Sequence, residues 1–184
     1  MKIINQFLKA ACLLVLTVVF AVNIGKAQDE KHQRIINDSK RAKAEFIKTD
    51  KLMENLFKDS YGYAIFPNVG KGAIGIGGAS GNGVLYEQGK MVGTASMKQL
   101  SVGFQMGGQA YREVIFFENK EALDRFKEDN FEFSAQASAV AVKSGASANA
   151  KYRDGVMVFS QQKGGLMYEA SVGGQKFDFT SFED

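Results

Sequence analysis

A compositional break near residue 60 constrains this chain more than any other feature of its sequence. From Asp29 to Ser60 there is no glycine or proline, and Ile35, Ala42, Phe46, Met53 and Phe57 recur at steps of seven and four, widened by Ile36, Leu52 and Leu56. That spacing predicts amphipathic helix, with Thr49-Asp50 ending one helix and capping a second. After Tyr61 the composition turns to glycine, β-branched and aromatic residues, and strands are expected.

Tyr63 to Phe66 reads as a strand stopped by Pro67-Asn68, and residues 72–87 as strand broken by a turn signal at Ser80-Gly-Asn-Gly83. Residues 91–106 and 111–118 continue the pattern. Asn119 is placed to cap a short helix whose apolar face is Ala122, Leu123 and Phe126. From Phe131 the period is two, through Phe133, Ala135, Ala137, Ala139 and Ala141, and three more strands are expected near 155–161, 166–172 and 175–179. Glycine inside strands costs backbone entropy and offers nothing to pack. Its density implies close approach of another sheet, a bulge, or strong curvature; the sequence leaves all three open. The predicted fold class is α+β: N-terminal helices followed by a glycine-rich, mainly antiparallel β-sheet or sandwich with one inserted helix. Alternating strands also suit an outer-membrane barrel, against which stand the opening helices, the helix after Asn119 and the Phe182-Glu-Asp184 ending.

The N-terminus carries a different signal. Lys2 and Lys9 precede an apolar run from Ala10 to Val22, and Gly25-Lys26-Ala27 places small residues before Gln28. This is the layout of a cleaved secretory signal peptide over 1–27; the run is shorter than the roughly 18 residues that span a bilayer. Cys12 lies too early to be a lipidated cysteine. The expected mature part is one domain over 28–184, with a helical segment at 28–60 and a β-rich core at 61–184, periplasmic or extracellular. It would contain no cysteine, which excludes disulfides and thiol chemistry. Of the 23 basic residues, Lys2, Lys9 and Lys26 leave with the signal, so the remaining 20 balance the 20 acidic ones. The basic balance of the whole chain is thus no argument for nucleic acid, and no nucleic-acid signature is present.

No catalytic constellation is apparent. The single histidine, His32, sits on the polar opening segment, where solvation explains it better than a triad would. Glu121, Asp124, Glu128 and Asp129 could be imagined around calcium or magnesium, but read more simply as the wet face of a short helix. Gly70-Lys-Gly-Ala-Ile-Gly75 matches the dinucleotide fingerprint in form only, because strand-like residues follow where a helix is required. No enzyme, cofactor or metal is expected. Between Lys31 and Lys58 eight basic residues face four acidic ones; such a helix can lie on an anionic membrane or pack on its own sheet with its lysines in water, and the second reading is favoured.

Five motifs in order resemble the SYLF-domain family: Ala64-Ile-Phe-Pro-Asn-Val-Gly-Lys71; Gly77-Gly78 with Gly81, Gly83 and Val84; Ser101-Val-Gly-Phe-Gln-Met-Gly-Gly-Gln109 with Val114-Ile-Phe-Phe117; Phe159-Ser160 with Lys163-Gly164-Gly165-Leu166-Met167; and Gly173-Gly174-Gln-Lys-Phe177. Gly72-Ala73 stands where the family usually has Ala-Gly. The resemblance implies lipid binding, with Lys71 and Lys163 as lipid-binding residues because they match the motif positions. The partner expected is anionic phospholipid or a membrane surface, with an envelope protein as the other candidate. Eukaryotic members also reach actin, but an exported chain is removed from cytosolic actin, so that role is not expected here.

Overall fold

The computed structural model describes residues 28–71, 78–100, 110–128, 131–134, 138–163 and 170–182. The expected signal segment, 1–27, lies outside them. The chain divides into two compact units, Met1–Arg34 and Ile35–Asp184. Of the first, residues 28–34 are described, and they are helical.

Helix α1 covers residues 28–49 and ends at the expected Thr49. The second helix, α2 (Met53–Asp59), has Leu52 at its N-cap and no side-chain cap. Asp50 therefore does not cap it at that position; one carboxylate oxygen accepts from the Leu52 N–H at 3.1 Å. Ile36, Ala42, Phe46, Met53 and Phe57 are buried together against Tyr63, Ile65, Val114, Phe116 and Phe159 of the sheet. From Ile36 on, the apolar stripe is thus spent on the chain's own core except at Leu52, which stays 44% exposed, and most of the lysines remain in water. Lys43 bridges the two layers: its Nζ donates to the Tyr63 hydroxyl at 2.9 Å and lies 4.7 Å from the Phe57 ring centre.

The strands are β1 (Gly62–Lys71), β2 (Gly78–Glu87), β3 (Lys90–Leu100), β4 (Ala110–Phe117), β5 (Phe131–Glu132), β6 (Ser138–Ala141), β7 (Val156–Gln162), β8 (Ala170–Ser171) and β9 (Gln175–Ser181). Helix α3 (Lys120–Lys127) follows β4, capped as expected by Asn119, whose side chain accepts from the Ala122 N–H at 3.0 Å. The strands form one sheet in the order β5-β9-β3-β2-β1-β4-β7-β6-β8, antiparallel except for β6 beside β7. The α+β class is borne out, with a single sheet in place of a two-sheet sandwich.

Two turn signals proved to be strand. Pro67-Asn68 does not stop β1; the register shifts there against both β2 and β4. A bulge is the place where a strand tolerates a residue without an N–H. Ser80 to Gly83 pairs without a break with Lys98 to Ala95 of β3. A Cβ on Gly83 would lie 2.5 Å from the Ile65 carbonyl oxygen, so this glycine serves close strand approach and not a turn.

Curvature is the second answer to the glycine density. Strands sit about 4.8 Å apart, so β1 and β9, three steps apart in the order, would be about 14 Å apart in a flat sheet. Yet the Phe66 and Phe177 rings lie 5.5 Å apart. Gln175 of β9 even donates to Glu113 of β4, four steps away, at 3.1 Å. The sheet curls, and its concave side closes over Phe66, Leu85, Met97, Ile115, Phe117 and Phe177. Phe126 of α3 enters this interior, 5.0 Å from Phe117 and 5.1 Å from Phe177.

Candidate functional site

Strand alternation builds a polar extension onto the helix-covered face. Val114 and Phe116 of β4, and Phe159 of β7, belong to that face's core. Continuing at every second residue, the same face carries Arg112 on β4 and Gln161 and Lys163 at the end of β7. These side chains meet α1 in a groove of about 450 Å³ whose charged lining is Asp38, Arg41, Glu45, Arg112 and Lys163.

The groove is ordered by a chain of contacts. Thr49 accepts from the Gln161 amide at 2.6 Å, and Gln161 accepts from Arg112 at 2.9 Å, so the end of α1 fixes the direction of the Arg112 guanidinium. On the other side, Lys163 donates to the side-chain oxygen Oδ1 of Asn68, and the Asn68 Nδ2 donates to Asp38 at 3.0 Å. Asp38 also pairs with Arg41. Three cations therefore face two carboxylates. Burial first, and then the nearby Arg112 charge, lower the Lys163 ammonium from its ordinary pKa, with Asp38 opposing. A further anion entering the groove would relieve the repulsion between these cations.

Of the two lysines expected to bind lipid, Lys163 is exposed in this groove. Lys71 ends β1, next to Gly70, which pairs with Ala110; the Lys163 N–H donates to the Ala110 carbonyl at 3.0 Å. The backbones of both lysines thus gather at one end of β1, β4 and β7; the Lys71 side chain is outside the described residues. Arg41, Arg112 and Asn68 were not among the expected site residues. A signal for Arg112 existed, in the polar-to-apolar run Arg112, Val114, Phe116 along one strand face. Nothing in the sequence brings Arg41 to it.

A separate polar cluster occupies the concave interior. Tyr111, Glu113, Ser160 and Gln175 are all buried there. Among the described residues, Glu113 Oε1, Ser160 Oγ and Gln175 Oε1 have no hydrogen-bond partner. Burial pushes the Glu113 carboxyl up to about 7, against the opposing bond from Gln175.

The other candidates can be placed as well. His32 is half-buried on α1, in the first unit. Asp124 is held by Lys120 at 2.5 Å, and among the described residues no three His, Cys, Asp or Glu side chains are grouped to hold a metal; Asp129 lies outside those residues. Only Gly70 and Lys71 of the fingerprint-like run are described, and they belong to β1, the next described element being β2. No described helix is long and apolar enough to cross a membrane.

Residues 98–181 match the family described as "Ysc84: Las17-binding protein actin regulator", the SYLF domain. The segment spans three of the motifs that suggested the resemblance and begins after the first two. The match covers somewhat under half of the chain and bears out the resemblance to SYLF-domain proteins, a family associated with lipid binding. Among curated proteins the chain is similar to beta cell expansion factor A of Aeromonas veronii, 32% identical over 124 residues, which is 66% of this chain and 47% of the relative. The chain thus matches about half the length of that relative.

Proposed function

We propose that this chain is a non-enzymatic lipid-binding module that meets anionic phospholipid headgroups at the cell envelope, reaching it by export with removal of residues 1–27. The observation that carries the reading is the convergence of Lys163, Arg112 and Arg41 on one groove, next to the strand end that bears Lys71. Arginine's planar fork suits phosphate oxygens, and charge-assisted bonds of this kind are among the stronger ones. Each exposed cation near an anionic surface contributes on the order of 1 kcal/mol, so the residues act as a set. A headgroup phosphate would take the place of Asp38 as partner of Arg41. The family's association with lipid binding and the relative's name, an expansion factor, support a binding protein over an enzyme. The actin wording belongs to the family description and is not carried to this chain.

Flotation of the protein with vesicles tests the reading. Anionic vesicles are expected to carry it at low salt and neutral ones not, with binding weakening as ionic strength rises. Lys163→Glu combined with Arg112→Glu should lower the bound fraction several-fold. Equal flotation with neutral and anionic vesicles, or none with either, sinks the proposal. In that case a protein retained from envelope extracts at high salt would favour a structural or protein-interaction role.

A further inference from the structure

Among the described residues the curled sheet runs from β5 to β8 without closing, and a cavity of about 760 Å³ lies in the seam between β5 and the β6–β7 pair. Phe131 and Phe133 line it from the β5 side, Val140, Met157 and Val158 from β6 and β7, and Tyr152 from the segment before β7. The volume falls within the range of about 300–1,000 Å³ typical of small-molecule sites. These walls are apolar and aromatic. The rim is charged: Arg125, Lys151 and Arg153 against Glu132 and Asp154. The rim charges are not equally occupied. Glu132 is answered by Lys176 at 3.4 Å, and Arg125 donates to the Asp154 backbone carbonyl. Lys151, Arg153 and Asp154 are exposed, and none of the ion pairs among the described residues includes any of them, which leaves two cations against one carboxylate.

An apolar cleft with two unpaired cations at its mouth selects for a molecule with a long apolar part and one anionic end. A sugar or nucleotide would strand its polar groups against the phenylalanines, and a neutral hydrocarbon would make no use of the rim. We infer that the seam binds a single-chain anionic amphiphile, its tail among Phe131, Phe133 and Met157 and its head at Lys151 and Arg153. The chemistry is shared by a fatty-acid carboxylate and a lysophospholipid phosphate. This goes beyond the headgroup groove and does not rest on it: the seam flanks Val156 to Val158 at the start of β7, whereas Lys163 follows the end of that strand.

Calorimetric titration of the full chain with straight-chain carboxylates of about eight to fourteen carbons, below their micelle concentrations, tests the inference. Each added methylene is expected to tighten binding about fourfold until the cleft is filled. Lys151→Glu with Arg153→Glu should weaken every member about tenfold while keeping the chain-length slope. Ala150→Trp, at a half-buried wall position, should abolish the slope; should its melting curve show that it does not fold, the charge-reversal pair decides between binding in the seam and none. A matched lysophosphatidylglycerol series identifies the head, since tighter binding by either series supports the inference and names the source. Affinity that ignores chain length, affinity unchanged by the charge reversal, or no binding by either series overturns it. Lys163→Glu should leave this titration unchanged while reducing vesicle flotation, so the two readings fail separately.

Discussion

Two buried carboxylates, Asp50 and Glu113, show how surroundings set the sign of a residue's contribution. Burial alone would raise the Asp50 carboxyl, but donors outweigh it: the Ser147 N–H at 2.8 Å, the Ser147 hydroxyl at 2.7 Å and the Leu52 N–H at 3.1 Å hold it below its ordinary value. Its contribution is present at neutral pH and is lost as pH falls through the lowered value. Removing it strands the Ser147 donors, and a buried donor without a partner costs about 1–3 kcal/mol. Asp50→Ala is therefore expected to lower stability by about 3 kcal/mol in urea denaturation. Glu113 has the opposite character. Its one described partner is the Gln175 amide, and the apolar interior favours its neutral form, with a value near 7 against the ordinary 4.5. The unfolded chain then releases this proton first. Stability from the group is complete below about pH 4.5, falls as pH rises towards 7, and is level above that. The shift corresponds to a loss on the order of 3 kcal/mol. Glu113→Gln is expected to flatten stability over this window and to make the protein more stable than wild type near pH 8, as denaturation at two pH values would show.

At the scale of elements, the sequence was most legible where local chemistry and global packing agree. Asn119 caps α3 because its side chain meets the Ala122 N–H, and Ala122, Leu123 and Phe126 are the face that α3 buries. Asn119→Ala is expected to cost about 1 kcal/mol, a fall of about 2–4 °C in Tm for a chain of this size. Legibility failed where tertiary pairing overrode turn chemistry. Pro67-Asn68 and Ser80 to Gly83 carry the residues of turns, but their neighbours on adjacent strands hold them extended. The contact between Gly83 and β1 cannot be seen in either segment alone. Gly83→Ala puts a carbon into the Ile65 carbonyl and the Phe66 ring, and is expected to destabilise by roughly 1–3 kcal/mol. The groove was half legible. Lys163 came from a family-like motif, whereas Arg41, Asn68 and Arg112 are supplied by α1, β1 and β4, and no spacing along the chain records that meeting. Glu113 was not singled out: it shares the alternation of Ile115 and Phe117, but only the curl of the sheet puts it inside.

On the scale of the whole molecule, that curl sets the cationic groove and the aromatic interior on different sides of the sheet. The helix-covered face extends into the cationic groove, while the concave side is filled by aromatic rings from strands far apart in sequence. Phe177 is the hub of that side, within 5.5 Å of Phe66, 5.1 Å of Phe126 and 5.2 Å of Phe133. A chain stopped after Gly174 would lack it together with all of β9, and is expected to show no cooperative melting transition by circular dichroism. The rings of residues 66 and 177 meet only when over a hundred residues of intervening polypeptide have been gathered, and such distant closures slow the search for the native state. A ribosome feeding this chain out from its N-terminus therefore releases the early strands well before the aromatic plug that locks them. Until the last strand emerges, the nascent polypeptide stays pliable enough to be threaded, cut or handed on.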